Sequence, residues 1–275
     1  MTGSVNRDNI ATQISADGTA YRRYSRAGAP VMVLVHGLGL TQDTWDGHLD
    51  ALTAQYDVIT YDLCGHGQSA PPVRPPDLTL YAEQLAALLD ECEVAQAVVN
   101  GFSLGGMINR RFAMDYPSRV AALIILNSPH ERGPEAQALV EQRAADTSAG
   151  GPGATLDTTI ERWFTPTFRA EQPETITMVR EWVLANDPDI YAACRMVLAT
   201  GVIELIRPQP PITHPTLVIT CEHDSGSTPA MTMAIAAEIT GAEAHIVPDL
   251  QHMGLMEAPT LFTTPVLTFL QRVKG

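Results

Sequence analysis

Short, nearly continuous apolar runs separated by helical periodicity are the feature that most limits what this chain can become. Val31-Met32-Val33-Leu34-Val35, Val58 to Tyr61, Ala97 to Asn100, Ala122 to Leu126 and Thr216 to Thr220 are too short for helices. They lack the strict alternation of a half-exposed strand and read as strands buried on both faces of a parallel sheet. Between Tyr61 and Ala97, Leu78, Tyr81, Leu85, Leu88 and Leu89 recur at helical spacing, which predicts a helix over Leu78 to Cys92 with Asp77 or Thr79 as its cap. A second helix is predicted from Leu104 to Tyr116, closed by Pro117. Strand and helix in alternation with short connections give a parallel sheet covered by helices on both faces. Asp17-Gly18 between Thr12 to Ser15 and Ala20 to Tyr24 adds an edge hairpin.

The alternation stops near Ser128. From His130 to about Arg207 the pattern is helical around Thr158 to Phe164, Pro173 to Ala185 and Ile190 to Ala199, with an Ala/Gly-rich stretch at Thr147 to Gly153. This predicts a helical insertion, 130–207, dividing a core of 1–129 and 208–275. Beyond it the strand pattern resumes, with a helix over Pro229 to Ile239, a strand over Ala244 to Val247 and a closing helix from about Pro259 to Val273.

Charge narrows the partners. Seventeen Lys plus Arg against 31 Asp plus Glu leave a formal charge of −14 over 275 residues, which repels phosphate backbones and anionic lipid. Nucleic acid and membrane are therefore not expected partners, while a homo-oligomer stays open. The first twenty residues contain no apolar stretch of signal-peptide type, so a cytoplasmic location is expected. Cys64, Cys92, Cys194 and Cys221 have no paired spacing and are expected as reduced, mostly buried thiols.

Gly101-Phe102-Ser103-Leu104-Gly105-Gly106 stands where a buried strand passes into a helix. The GxSxG pattern in that context predicts a sharp turn that projects the Ser103 hydroxyl, with glycines where strand and helix approach. The plainer alternative is a helix-capping serine. A serine nucleophile needs a base and an acid to orient it. Of eight histidines, His252 follows the last strand and would sit at the carboxyl edge of the sheet with Ser103; His223 is the weaker competitor. Asp224 follows the 216–220 strand and completes the order Ser, Asp, His, with Glu222 the alternative on the same loop. Cys221, His223 and Asp224 as metal ligands form a third, less specific reading, and no metal or cofactor is expected. An oxyanion formed at Ser103 calls for two N–H donors, assigned to Leu104 and to Leu38 in His36-Gly37-Leu38-Gly39. His36, directly after a strand, is expected to brace that loop.

With these motifs, and with Tyr61-Asp62-Leu63-Cys64-Gly65-His66-Gly67-Gln68-Ser69 resembling a D-x-x-G-H-G-x-S turn, the chain resembles the α/β-hydrolase superfamily. It is most similar to the small bacterial esterase, cofactor-free haloperoxidase and 3-oxoadipate enol-lactonase group. The likeness extends over nearly all of the chain except the first ten residues and much of the insertion. It implies a mostly parallel eight-stranded sheet with helices on both faces and a helical cap over Ser103. It also implies hydrolysis of a small-molecule carboxylic ester or lactone through an acyl-serine intermediate. Met107, His130, Trp163, Phe164, Phe168, Trp182 and Met253 become candidates to line the substrate pocket. His130 with Arg132 could receive a carboxylate, although a solvated surface pair is the simpler reading. Cys64 stands where relatives carry Arg, leaving the Asp62 turn less braced by charge, and the Asp224 to Pro229 loop is one residue longer than the common form. Two other readings remain: hydrolysis of a carbon–carbon bond in a β-diketone-like substrate by the same residues, and slow-turnover ligand binding.

Overall fold

A computed structural model of the chain describes residues 10–148 and 150–273. The N-terminal segment 1–9, which falls in the stretch read above for a leader, lies outside the described residues. The elements are β1 (Gln13–Ile14), β2 (Ala20–Tyr24), β3 (Val31–Val35), α1 (Leu49–Thr53), β4 (Asp57–Tyr61), α2 (Leu78–Glu91), β5 (Ala97–Phe102), α3 (Leu104–Asp115) and β6 (Val120–Leu126). After β6 come α4 (Pro134–Ser148), α5 (Leu156–Trp163), α6 (Pro166–Glu171), α7 (Pro173–Leu184) and α8 (Pro188–Thr200). The chain then returns through β7 (Thr216–Cys221), α9 (Pro229–Glu238), β8 (Glu243–Val247), α10 (Gly254–Glu257) and α11 (Pro259–Val273).

These strands form one eight-stranded sheet in the order β1-β2-β4-β3-β5-β6-β7-β8. β2 is antiparallel to both β1 and β4, and the pairs from β4 to β8 are parallel. The expected sheet, hairpin and helical cap are all present. β4, β5 and β7 are buried along their whole length, which is why they read as continuous apolar runs. Both edges are blunted. β1 has only two residues, and β8 is largely solvent-facing with Glu243 paired to Arg272.

Local chemistry sets the helix starts. The Asp77 carboxylate accepts from Leu80 N–H at the start of α2, and the helix ends one residue before the predicted limit because Cys92 is its C-cap. The cap contains more helix than its sequence suggests. α4 covers a stretch whose Ala-rich composition carries only a faint amphipathic signal, and it gains its support by packing on α8.

The turn around Asp62 is braced by neutral donors. Gln42 N–H and Gln68 N–H donate to its carboxylate at 2.7 and 2.9 Å, while Gln84 bridges Cys64 N–H, Asp62 C=O and the Thr19 hydroxyl. His36 is fixed as one tautomer: Nδ1–H donates to Gly37 C=O and Nε2 accepts from Leu63 N–H. It braces the loop as the sequence suggested. Cys92, Cys194 and Cys221 are buried and Cys64 is half-buried, all as free thiols. Among the described residues no helix is long and apolar enough to cross a membrane.

Burial pushes His36 and His48 down from 6.5 to about 4, and His66 to about 3. As pH falls the unfolded chain takes up these protons first, so stability is full above about 6.5 and drains away towards about 4. Each ring contributes about 3 kcal/mol over that interval, as an order of magnitude. Urea unfolding followed across the window should show a midpoint that falls with pH; a flat midpoint would contradict neutral burial of these rings.

Candidate active site

The strand order reverses at β3, which leads first to β4 on one side and then to β5 on the other. Crevices open at such a reversal, at the carboxyl ends of the strands. Val35 is paired with Gly101, so the loop after β3 and the turn after β5 end side by side. Ser103 occupies that turn at φ 56° and ψ −113°, a left-handed conformation that a non-glycine residue holds only when its surroundings impose it. The imposing contacts are visible. A side chain at Gly101 would collide with the Gly105 carbonyl, and one at Gly105 would collide with the Val35 carbonyl. At Gly37 a Cβ would lie 3.1 Å from Ser103 Cβ. Ser103 N–H still donates to Leu126 C=O, which anchors the turn to β6.

His252 lies between β8 and α10. Its Nε2 is 3.2 Å from Ser103 Oγ and its Nδ1 is 2.6 Å from Asp224 Oδ2. The ring packs between Phe102 and Trp163, at centroid distances of 5.0 and 6.1 Å. Asp224 is buried, and each of its oxygens is satisfied: Oδ1 accepts from Gly226 and Ser227 N–H, and Oδ2 accepts from Asn127 Nδ2 at 2.9 Å as well as from His252. Burial alone would raise its pKa, but His252, Asn127 and Ser227 outweigh burial and hold the carboxyl below its ordinary value. Glu222 instead faces solvent and accepts from Asp249 N–H. His223 is exposed too, tied through its N–H to Leu250 C=O. The Cys221, His223 and Asp224 set does not gather; among the described residues it is Glu222, His223 and Asp249 whose ligand-type atoms approach within 4.8 Å, all of them exposed.

Sequence reasoning missed Asn127. It directly follows β6 at φ 45°, buried, with its N–H on Ile219 C=O and its amide on Asp224. The available signal was an asparagine directly after a buried strand, on the strand next to the one carrying Asp224. Arg110 was missed as well. On α3 its buried guanidinium donates to Gly106 C=O, the Ser128 hydroxyl and Pro129 C=O, so it ties the start of the cap to the helix behind Ser103. Burial pushes it down to about 9.

A cavity of about 1090 Å³ opens over Ser103 and His252, with cap residues forming much of its wall. Leu38 borders it, and Leu104 is the first residue of α3, where backbone donors have no partner within the helix. Of the predicted lining residues, His130 and Trp163 border the cavity. Met107, Phe164, Phe168, Trp182 and Met253 do not border it. Met107, Phe164 and Met253 are consumed by the core, Phe168 stacks on Phe164, and Trp182 packs against the core from the cap. His130 is not a solvated surface group either: it is 2% exposed, 3.2 Å from the Glu238 carboxylate, and burial lowers its pKa. Arg132, Arg162 and Arg195 also line the cavity, against Glu131 and Asp224.

Residues 30–162 match the alpha/beta hydrolase fold family. The chain is 29% identical to 3-oxoadipate enol-lactonase 2 of Acinetobacter baylyi over 92% of each protein. Among solved structures, the enol-lactonase from Burkholderia xenovorans superposes with a TM-score of 0.82 at 29% identity, over 92% of this chain and 96% of that one. A thermophilic esterase from Thermogutta terrifontis with malate bound gives 0.80 at 27%, over 97% and 98%. Fold and site together define an α/β-hydrolase-fold enzyme. The chain belongs to the α/β-hydrolase superfamily and is related to bacterial esterases and lactonases.

Asn127→Gly removes the amide while leaving the left-handed backbone free of strain. It should lower unfolding stability at pH 7 by about 1–3 kcal/mol, since a charged hydrogen bond in the interior is lost. Asp224 has a depressed folded pKa, so its ionic stabilisation is complete above the unfolded value of 3.8 and lost as pH falls through the folded one. The penalty should therefore shrink below pH 3.8, which chemical denaturation at pH 7 and pH 3 would reveal.

Proposed function

We propose that the protein hydrolyses a small carboxylic ester or lactone through an acyl-serine intermediate, with 130–207 acting as the cap over the reaction. The observation that carries this reading is the chain of hydrogen bonds from Ser103 Oγ through His252 to Asp224, opening into a cavity at a strained nucleophile elbow. His252 Nε2 takes the Ser103 proton as Oγ bonds to the substrate carbonyl carbon, and the carbonyl electrons move onto oxygen. Leu38 and Leu104 N–H hold that oxyanion. Collapse breaks the carbon–oxygen bond of the leaving group, whose oxygen receives the proton from His252. Water then repeats the sequence on the acyl-serine. Asp224, kept ionised by four donors, fixes the His252 tautomer and stabilises its cation.

The substrate class is drawn from the wall. In a chain of net charge −14, three arginines, Arg132, Arg162 and Arg195, line the cavity against two carboxylates, Glu131 and Asp224, the second of them already engaged with His252. Arg132 is half-buried, bonded to the neutral Gln137 amide oxygen, and its pKa is lowered by burial. Such a wall favours an ester or lactone that also bears a carboxylate. Oxoadipate and malate, named with two of the relatives, are themselves carboxylates.

Steady-state hydrolysis of p-nitrophenyl acetate and butyrate, their ω-carboxylated analogues and small lactones tests both parts. Ser103→Ala should reduce kcat by about 10⁴-fold or more. Arg132→Gln should raise KM for carboxylated substrates about 10-fold while leaving the neutral ones unchanged. A wild-type enzyme inert towards every ester and lactone would overturn the reading, and equal preference for neutral and carboxylated substrates would overturn the anionic class.

A further inference from the structure

Ser103, Asp224 and His252 all follow strands of the central sheet, β5, β7 and β8. His252, farthest from its strand, has a further support. The loop that carries it begins on the core, where Glu222 N–H donates to Val247 C=O and His223 N–H to Leu250 C=O. Its far end is fastened to the cap. Met253 N–H, next to His252 in sequence, donates to Trp163 C=O at 2.8 Å. One helical turn further, the Glu257 carboxylate receives two bonds from a single cap residue: Thr165 N–H on Oε1 at 2.8 Å and the Thr165 hydroxyl on Oε2 at 2.7 Å. The same hydroxyl accepts Phe168 N–H as the N-cap of α6. The core holds the middle of α10, through His48 Nε2 and Leu255 C=O.

Trp163, Phe164 and Thr165 thus run alongside residues 253–257, and the Trp163 ring rests on His252. A cap that lifted without breaking these bonds would pull on the residue beside His252. A cap that broke them would leave the backbone beyond His252 held by the buried Met253 and Leu255 side chains and the His48 bond, and the ring by Asp224, Ser103 and Phe102, without the tryptophan that shelters it. A proton transfer over 3.2 Å is sensitive to such displacement, because a shift of about 1 Å can cost about 100-fold in rate.

We propose that Glu257 and Thr165 form a latch that couples the seating of the cap to the placement of His252, and that both are positioning residues for the proton transfer at Ser103. This rests on His252 being the base of the proposed hydrolysis. Productive alignment is then reached when the cap is seated, and an open cap leaves Ser103 without an aligned base. Acyl transfer to water is thereby confined to the closed cavity, while substrate entry takes place in a state of low reactivity.

Thr165→Val removes the hydroxyl and keeps the N–H and the side-chain volume; Glu257→Ala removes both acceptors; Thr165→Ser keeps both donors. With p-nitrophenyl butyrate, Thr165→Val and Glu257→Ala should lower kcat about 10- to 100-fold while KM changes less than about 3-fold, and Thr165→Ser should retain wild-type values. Hydrogen exchange should accelerate in residues 163–171 and 253–257 together, and the His252 imidazole resonances should move as the ring current of Trp163 is lost. Faster exchange confined to 163–171, with the His252 resonances and kcat unchanged, would show cap and base to be independent and overturn the latch. The exchange and resonance measurements need no substrate. If the wild type hydrolysed nothing, inactivity would count against the hydrolase reading, and those two measurements would still decide the coupling.

Discussion

The contact between the end of β3 and the start of α3 governs the rest of the architecture. Val35 and His36 present their carbonyls to Gly105 at a distance that no side chain could share, and Gly101 meets the Gly105 carbonyl from the other side. That approach turns Ser103 into a left-handed conformation and directs α3 across the sheet. Asn109 on α3 then reaches back to the Val99 and Ile124 carbonyls, so the helix is fixed to β5 and β6 six residues beyond the strained one. Local strain of about 1–3 kcal/mol at Ser103 is tolerable because so much burial around it would be lost in relaxing it. Gly37 must follow suit, since it lies against both Phe102 and Ser103.

Electrostatics follow from the same placement. Asp224 and His252 are carried to the carboxyl edge by neighbouring strands, and the carboxylate is buried there. Its charge survives there because backbone amides and Asn127 replace hydration. Arg110 shows the converse arrangement. It is a cation among carbonyls, with no carboxylate hydrogen-bonded to it among the described residues, and its pKa falls accordingly.

Much of this was legible in the sequence, for reasons that differ between residues. The turn at Ser103 could be read because its steric requirement is written in glycines at fixed spacing, and the strands because burial on both faces leaves no room for polar alternation. The choice between Asp224 and Glu222 could not be settled that way. Both lie on one loop, and only the path of that loop sends one towards His252 and the other to solvent. Cavity lining was the least legible part: Met107, Phe164, Phe168, Trp182 and Met253 have the right size and polarity for a wall, yet packing claims them. The arginines that do line the cavity come from the segment after β6 and from two cap helices, so no local pattern joins Arg132, Arg162 and Arg195. Asn127 escaped notice because its role depends on a neighbour 97 residues away.

The blunted sheet edges bear on how the protein behaves when crowded with copies of itself. A parallel sheet of this width forms through contacts distant in sequence, and such folds pass slowly through states that expose backbone donors. At one margin, the two-residue β1 offers too short a ladder for a second chain to extend, although Ile14 there is 60% exposed. At the other, strand β8 carries Glu243, ion-paired with Arg272 of α11, and the exposed His245. Strand addition from either end would have to desolvate charge or pair with almost nothing. The same geometry that opens a reactive crevice in the middle of the sheet therefore leaves its margins poor templates for polymerisation.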